Sequence, residues 1–547
     1  MKIVRNTKYR KPRSDRWRPW VVGAFFGLLA LVGVLLHRDY GVPWDEQIDR
    51  LNGIINAKYV ALHLAPELAK REENFATIPD MSQNEDLDHG VFFQLPLVLL
   101  ERVAGVNDTR EIYFMRHLVT FFTFVAGAYV FYRLATWRFA SWKLGLLGAA
   151  ALVASPRFFA EAFYNYKDLV FLSFFTLAIY TLLLLLRRPT WQRALLHAAA
   201  TAAAVDVRSM GIILPALTLG FLFLEASFRP LRRRGFALAA LLYLPLSALF
   251  IVLGWPYLWE NPLSHFAAAF LHFSRYTYES STLYLGQQIS ILHLPWHYVP
   301  VWLLVTTPVL YSALAGIGIR ALLRDALKAP LKWLSTTEGR HDALFMAWLL
   351  GPVLAIIVLQ SVLYDGWRHL YFVYPAWLLL ALRGVQAAQA GWQRATASTR
   401  RLLRVPAGML LILGLLHPLY RMVRDHPYQN MYFSFLPGTV AHQLFERDYW
   451  GLSGWQGMAW ILRQDASPHI TVGTDLRTRT IVLLNSRLLL PPAERARVEV
   501  VPSPKQAKYF MTVYRWHPAP YPPSYGREIY QIQVNGNKIL SVFRRPD

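Results

Sequence analysis

The run Val21-Val-Gly-Ala-Phe-Phe-Gly-Leu-Leu-Ala-Leu-Val-Gly-Val-Leu-Leu36 is followed, after His37 and Arg38, by Asp39-Tyr-Gly-Val-Pro-Trp-Asp-Glu-Gln47. With Trp20 before it, the first stretch approaches the length a membrane-spanning helix needs, about 20 apolar residues. The second begins where a chain leaving a bilayer meets water. It sets two adjacent carboxylates, Asp45 and Glu46, behind a proline and a tryptophan, in a chain with 34 acidic residues against 57 Lys and Arg. Asp45 has two readings. It can cap a helix starting at Glu46, because an Asp side chain accepts from the free N–H groups of a first turn, or it can do chemistry at the membrane surface. One carboxylate can do both.

Outward from this point the apolar pattern repeats. Runs at 20–36, 112–134, 144–159, 169–186, 194–207, 211–226, 236–255, 298–319, 343–363, 370–382 and 405–420 predict eleven transmembrane helices. Hydrophobic residues make up 54% of the 547 and charged residues 17%, the composition of an all-α polytopic membrane protein. The net charge of +23 does not indicate nucleic acid. Its Lys and Arg recur as short clusters between apolar runs, which is how membrane proteins mark the cytoplasmic side. Cysteine is absent, which excludes a disulfide framework and thiolate chemistry.

Charge also sets the topology. The first 20 residues carry eight Lys and Arg against one Asp, and no small-residue cleavage site follows 21–36. The run therefore reads as an uncleaved first span with its tail in the cytoplasm. The stretch 194–226 carries Asp206-Val-Arg208 in its middle and is one broken span or two short ones. With two, the clusters Arg133/Arg138/Lys143, Arg187/Arg188/Arg193, Arg229/Arg232/Arg233/Arg234, Arg320/Arg324/Lys328/Lys332 and Arg383/Arg394/Arg400/Arg401 all fall on the tail's side. The C-terminus is then outside. So is every polar stretch of chemical character: Asp45-Glu46, Asp86-Leu-Asp-His89, Ser155 to Asp168, Asp206-Val-Arg208, Trp259-Glu-Asn261 and Asp365-Gly-Trp-Arg-His369.

The first outer loop, 37–111, holds two helical patterns at 47–64 and 91–103, both placed at the membrane interface. Beyond 425 the composition becomes mixed. Short β-type runs stand at 470–473, 480–484 and 509–513, helical character at 457–463, and a hairpin at 529–543 turning on Asn535-Gly536. These predict a small α/β outer domain over 425–547. No internal repeat is visible, and 198–204 is an Ala-rich helix-packing surface.

Several of the outer stretches suit an anionic ligand. Ser155–Asp168 supplies Arg157, Lys167, Glu161 and Asp168 in an aromatic-rich connection, where interfacial anchoring explains Arg157 better than the Lys167-Asp168 pair. Asp168 also suits the N-cap of the next helix. Arg208 between two short apolar segments costs several kcal/mol unless it faces water or an anion, with Asp206 as its structural partner otherwise. Arg157, Lys167, Arg208 and Arg368, with His369 beside the last, come from four connections that can converge on one phosphate. Asp86, Asp88 and His89 offer the ligand types of a divalent cation, against the alternative of a solvated loop.

Taken together, Asp-Glu after the first span, an outer Pro-Arg…Lys-Asp connection, many spans and a C-terminal outer domain resemble the GT-C glycosyltransferases. The likeness is to the bacterial branch related to protein O-mannosyltransferases and the lipid A aminoarabinose transferase (glycosyltransferase family 39-like). Gly254-Trp-Pro-Tyr-Leu-Trp-Glu-Asn-Pro262, Leu294-Pro-Trp-His-Tyr-Val-Pro-Val-Trp302 with Thr306-Thr-Pro308, and Tyr364-Asp-Gly-Trp-Arg-His-Leu-Tyr371 have the same character. The resemblance covers residues 20 to about 425. It implies a sugar donor linked to a polyprenyl phosphate, no nucleotide cofactor, and a lipid, glycan or protein acceptor. It also implies transfer with inversion on the periplasmic side of a bacterial inner membrane, among membrane lipids. By matching position the resemblance makes Asp45 the general base, with Glu46 assisting it or contacting donor or acceptor; the four cations and His369 are expected at the donor phosphate, and Asp168, Glu161 and Glu260 are expected to shape the site. The chain departs from the family in showing no β-trefoil insert and in having Tyr166 where a proline is expected before Lys167. From another class, a transporter or lipid flippase would line a path with the same residues, but repeats and mid-membrane polar groups would then be expected.

Overall fold

The computed structural model describes residues 16–69, 75–83, 89–274, 280–475, 479–515 and 519–545. Among them, eight helices are long and apolar enough to cross a membrane: Arg18–Leu36, Thr109–Phe139, Asp168–Arg187, Ser209–Phe228, Pro230–Gly254, Thr337–Leu359, Arg368–Arg394 and Ala397–Arg424. A bent pair, Trp142–Val153 and Pro156–Tyr164, makes a ninth. The chain is a polytopic helical membrane protein with a C-terminal α/β domain.

Of the eleven spans expected from the sequence, the runs at 194–207 and 298–319 do not form helices that meet this length and apolarity among the described residues, and the run at 144–159 is the bent pair; the breaks have local causes. Ser155 is extended because a residue before proline is pushed out of the helical region, so the chain turns by 69° before Pro156 restarts it. Thr307, which precedes Pro308, is extended for the same reason and divides Tyr298–Thr306 from Val309–Lys328. The third, Trp191–Val205, stops at Asp206, and an extended Arg208 precedes the turn into Ile213–Phe228. Each break brings a polar stretch to one end of the bundle instead of carrying it through the apolar layer.

Two helices of the first loop, Glu46–Leu64 and Gln94–Val103, lie against each other at that same end. A small hairpin of β1 (Ser281–Tyr284) and β2 (Gln287–Ser290) precedes Tyr298–Thr306. The C-terminal domain is a five-stranded sheet of β3 (Ile470–Gly473), β4 (Val498–Val501), β5 (Tyr509–Val513), β6 (Arg527–Val534) and β7 (Asn537–Arg544), in the order β4-β3-β5-β7-β6. β3 is parallel to β4 and β5, and β7 is antiparallel to β5 and β6. Helix Gly454–Gln464 covers it through Met458 and Ile461, which meet Val472, Leu540 and Val542. The β6–β7 turn has positive φ at both Asn535 and Gly536, the conformation that favours this residue pair.

One expected strand is a helix. The stretch 480–484 begins Thr480–Leu488, which buries Val482, Leu483, Asn485 and Ser486 on one face. A short apolar run does not by itself distinguish strand from helix, and here packing against Gly454–Gln464 decides.

Candidate active site

Asp45 stands at the N-cap position of Glu46–Leu64, but its side chain makes no capping hydrogen bond. It faces Arg368 instead, Oδ2 lying 3.4 Å from Nη2, with 38% of the side chain exposed. The capping hydrogen bond is thus not made, and the carboxylate points at a cation. Arg368 is buried and shared among three carboxylates: Asp45, Asp168 at 3.4 Å and Asp365 at 3.2 Å. Its guanidinium lies against the rings of Trp450 and Tyr364, 4.7 and 5.0 Å from their centroids. Positive φ at Asp365 and Gly366 turns the chain so that Asp365 and Arg368 meet.

The cluster extends along two more connections. Arg208 pairs with Asp168, and Lys167 Nζ lies 2.8 Å from Asp49, which also accepts from the Tyr166 hydroxyl. Burial works against the Asp49 charge, but Lys167, His89 and Tyr166 together outweigh it and hold the carboxyl below its usual range. Burial, then Asp49, pushes the Tyr166 hydroxyl well above its ordinary value, so it remains a donor. Lys167 and Arg208 each keep 19% of the side chain exposed. The open face of the cluster is therefore Asp45, Lys167 and Arg208, backed by buried Arg368. His369 is buried beside Arg368 and meets Tyr364 edge to face at 4.7 Å.

Other expected site residues lie elsewhere. Glu46 is one residue from Asp45 and so projects to another side of the helix. It is buried beside His117 at 3.4 Å and Arg116 at 3.7 Å. Arg116 in turn binds Glu101 at 2.7 Å and Gln94, and Arg50 joins Glu101 at 2.7 Å. This network fixes Glu46–Leu64 to its neighbouring helices and so holds Asp45 in place. Arg157 is not in the cation cluster. It donates to the Tyr432 carbonyl at 2.9 Å and packs against Phe433 and Trp302. The rings and carbonyl that hold it come from distant parts of the chain, around residues 302 and 432–433. Glu161 is buried, accepting from Tyr371 at 2.8 Å, Tyr449 at 2.9 Å and Asn165 at 2.7 Å. Asn165 also bonds Asp168 at 3.1 Å, which ties Glu161 to the cluster from behind. Glu260 is exposed and accepts from Tyr59 at 3.1 Å, beyond Asp45 along the same helix. Asp86 and Asp88 lie outside the described residues, and among the described residues no group of three metal-ligating side chains is assembled.

The C-terminal domain completes the site. Arg515 pairs with Asp365, so that carboxylate is held between one cation from each part of the chain. Trp44 lies between Arg515 and Arg479, 5.1 and 5.5 Å from its ring. Asn485 donates to the carbonyls of Pro43 at 2.8 Å and Trp44 at 3.2 Å. At Gly41 a Cβ would come within 2.5 Å of the Leu452 carbonyl oxygen, so only glycine allows this approach. Asp49 and Asp365 were not singled out from the sequence. Asp49 follows Asp45 by four residues on a helix, a spacing that puts both on one face and offered a signal.

No family model and no curated protein matches the sequence. Among solved structures the chain is similar to ArnT from Cupriavidus metallidurans in the apo state (TM-score 0.48, 16% identity, 96% of this chain and 98% of that chain). It is similar to the same protein bound to undecaprenyl phosphate (TM-score 0.47, 15% identity, 96% and 98%). It also resembles the archaeal oligosaccharyltransferase AglB from Archaeoglobus fulgidus, in complex with an inhibitory peptide and a dolichol-phosphate (TM-score 0.45, 10% identity, 91% and 70%).

Proposed function

We propose that this protein is an inverting glycosyltransferase that takes a sugar from a polyprenyl-phosphate donor at the outer, periplasmic face of the inner membrane. The observation that carries the reading is the contact between a half-open carboxylate, Asp45, and a buried arginine, Arg368, at the mouth of the bundle. Lys167 and Arg208 on the same open face extend the positive surface. Arg368, Arg208 and Lys167 are each held by carboxylates, which orient them toward an incoming phosphate.

The chemistry follows from this layout. A donor phosphate entering over Lys167, Arg208 and Arg368 competes with Asp45 for Arg368 and turns the carboxylate toward the acceptor. The acceptor hydroxyl then attacks the anomeric carbon while Asp45 accepts its proton. The bond from that carbon to the phosphate oxygen breaks, and the electron pair leaves with the lipid phosphate. The cations offset the added negative charge, an effect that grows toward the transition state. One base and one leaving group on opposite faces of the sugar give inversion. The acceptor is an envelope lipid, glycan or protein.

The test is transfer in proteoliposomes from a radiolabelled polyprenyl-phosphate sugar pool to envelope material, with the anomeric configuration of the product read by NMR. Label transferred with inversion is expected. Label that crosses the bilayer without being transferred would replace the enzyme by a flippase.

A further inference from the structure

At the opposite end of the bundle the structure holds a cavity of about 590 Å³ lined by Arg187, Arg188, Arg229 and Arg232 together with Phe228 and Leu231. The 20-residue helix Asp168–Arg187 begins in the candidate active site and ends here, which puts the two sites about 30 Å apart. The volume suits a small organic ligand.

The arginines are set in place by the helix ends they surround. Arg229 donates to the Leu186 carbonyl at 3.2 Å and Arg232 to the Arg187 carbonyl at 2.9 Å. Satisfying the last carbonyls of a helix is an ordinary structural role for a cation. It does not account for the whole group. Glu225 is the carboxylate paired with it among the described residues, and Glu225 is divided between Arg229 at 3.1 Å and Arg340 at 2.6 Å. Arg187 lies over the Trp137 ring, and Arg188 is exposed. Leu231, at the rim, is fully exposed. A cationic cavity with an apolar rim at the end of apolar helices matches a phosphodiester joined to acyl chains.

We propose that this cavity binds the headgroup of an anionic phospholipid, independently of the chemistry at the other end. Free phosphate would use the arginines but not the apolar rim. A zwitterionic headgroup would bring its own cation into a site already rich in positive charge. Each cation near a membrane surface contributes about 1 kcal/mol to holding an anionic lipid, so R188Q with R232Q should weaken retention about 30-fold.

The measurement is native mass spectrometry of the full chain, delipidated and then titrated with cardiolipin, with phosphatidylethanolamine, or with inorganic phosphate. One cardiolipin retained per chain is expected, with the double variant losing it and R188K/R232K keeping it. R188Q alone separates binding from folding, since Arg188 is exposed at the cavity rim. Equal retention of phosphatidylethanolamine, or retention unchanged in R188Q and in the double variant, overturns the proposal. Displacement of cardiolipin by inorganic phosphate overturns the lipid identity and leaves a simple anion site.

Discussion

Replacing Arg368 by glutamine removes the cation that joins Asp45, Asp168 and Asp365. Its three contacts fall between 3.2 and 3.4 Å. At an effective dielectric constant of about 20, each corresponds to roughly 5 kcal/mol of attraction before desolvation is counted. Most of that is offset by taking the guanidinium and its partners out of water. Deleting one member of a buried pair costs about 3–5 kcal/mol. Asp168 keeps Arg208 and Asp365 keeps Arg515 in the variant, so the lower end, about 3 kcal/mol, is the expected loss of stability. The loss of activity should be larger in consequence. Removing one donor aimed at developing charge costs about 10²- to 10³-fold, and R368Q should show this in the transfer rate with a raised KM for the lipid-phosphate donor. Thermal unfolding in detergent and transfer kinetics, with R368K as the charge-preserving comparison, read the two effects separately. R368Q that melts with the wild type and transfers at the wild-type rate would refute the reasoning.

Three further outcomes test how the site is held. Asn485→Ala removes the side-chain donor from the Trp44 and Pro43 carbonyls, of which Pro43 keeps the Glu46 N–H at 3.3 Å, a cost of about 1–3 kcal/mol; the transfer rate should fall while donor affinity, read by binding of polyprenyl phosphate, stays. Gly41→Ala forces a Cβ onto the Leu452 backbone, so the variant should lower both melting temperature and activity, as measured by differential scanning fluorimetry and transfer. The third concerns pH. The Asp49 pKa is lowered in the folded protein, so its pairing with Lys167 contributes stability above the ordinary carboxylate pKa of about 3.9 and loses it as pH falls through the depressed folded value. Asp49→Asn should therefore melt below the wild type at pH 7, with the gap closing as the pH is lowered past 4, where a gap that stays constant would reject the assignment.

The helical architecture was legible because apolar runs and Lys/Arg clusters are local signals. So was the Asn535-Gly536 turn, whereas the breaks at Pro156 and Pro308 fall inside runs read as continuous spans. The candidate site was legible in part. Asp45, Lys167, Asp168, Arg208 and Arg368 each lie at the end of a span, and topology alone brings them to one surface. Side-chain direction was not legible. Glu46 adjoins Asp45 in sequence yet turns to Arg116 and His117, and Arg157 enters an aromatic pocket formed by residues more than a hundred positions away. The contribution of the C-terminal domain was hidden for the same reason. Asn485, Arg515 and Trp450 carry no motif, and only tertiary packing sets them against Trp44, Asp365 and Arg368. The helix at Thr480–Leu488 shows packing overriding a β-like run.

The proposed transfer turns on Asp45 as the base. Asp45→Asn keeps the size of the side chain and its place before the helix but removes the proton acceptor. Single-turnover transfer from a radiolabelled polyprenyl-phosphate sugar, compared between wild type and D45N in the same liposomes, measures that step directly. A fall of about 10²- to 10⁴-fold is expected, with the folded protein and its donor binding intact. Transfer at the wild-type rate would contradict it and leave Asp45 as a surface carboxylate beside an arginine.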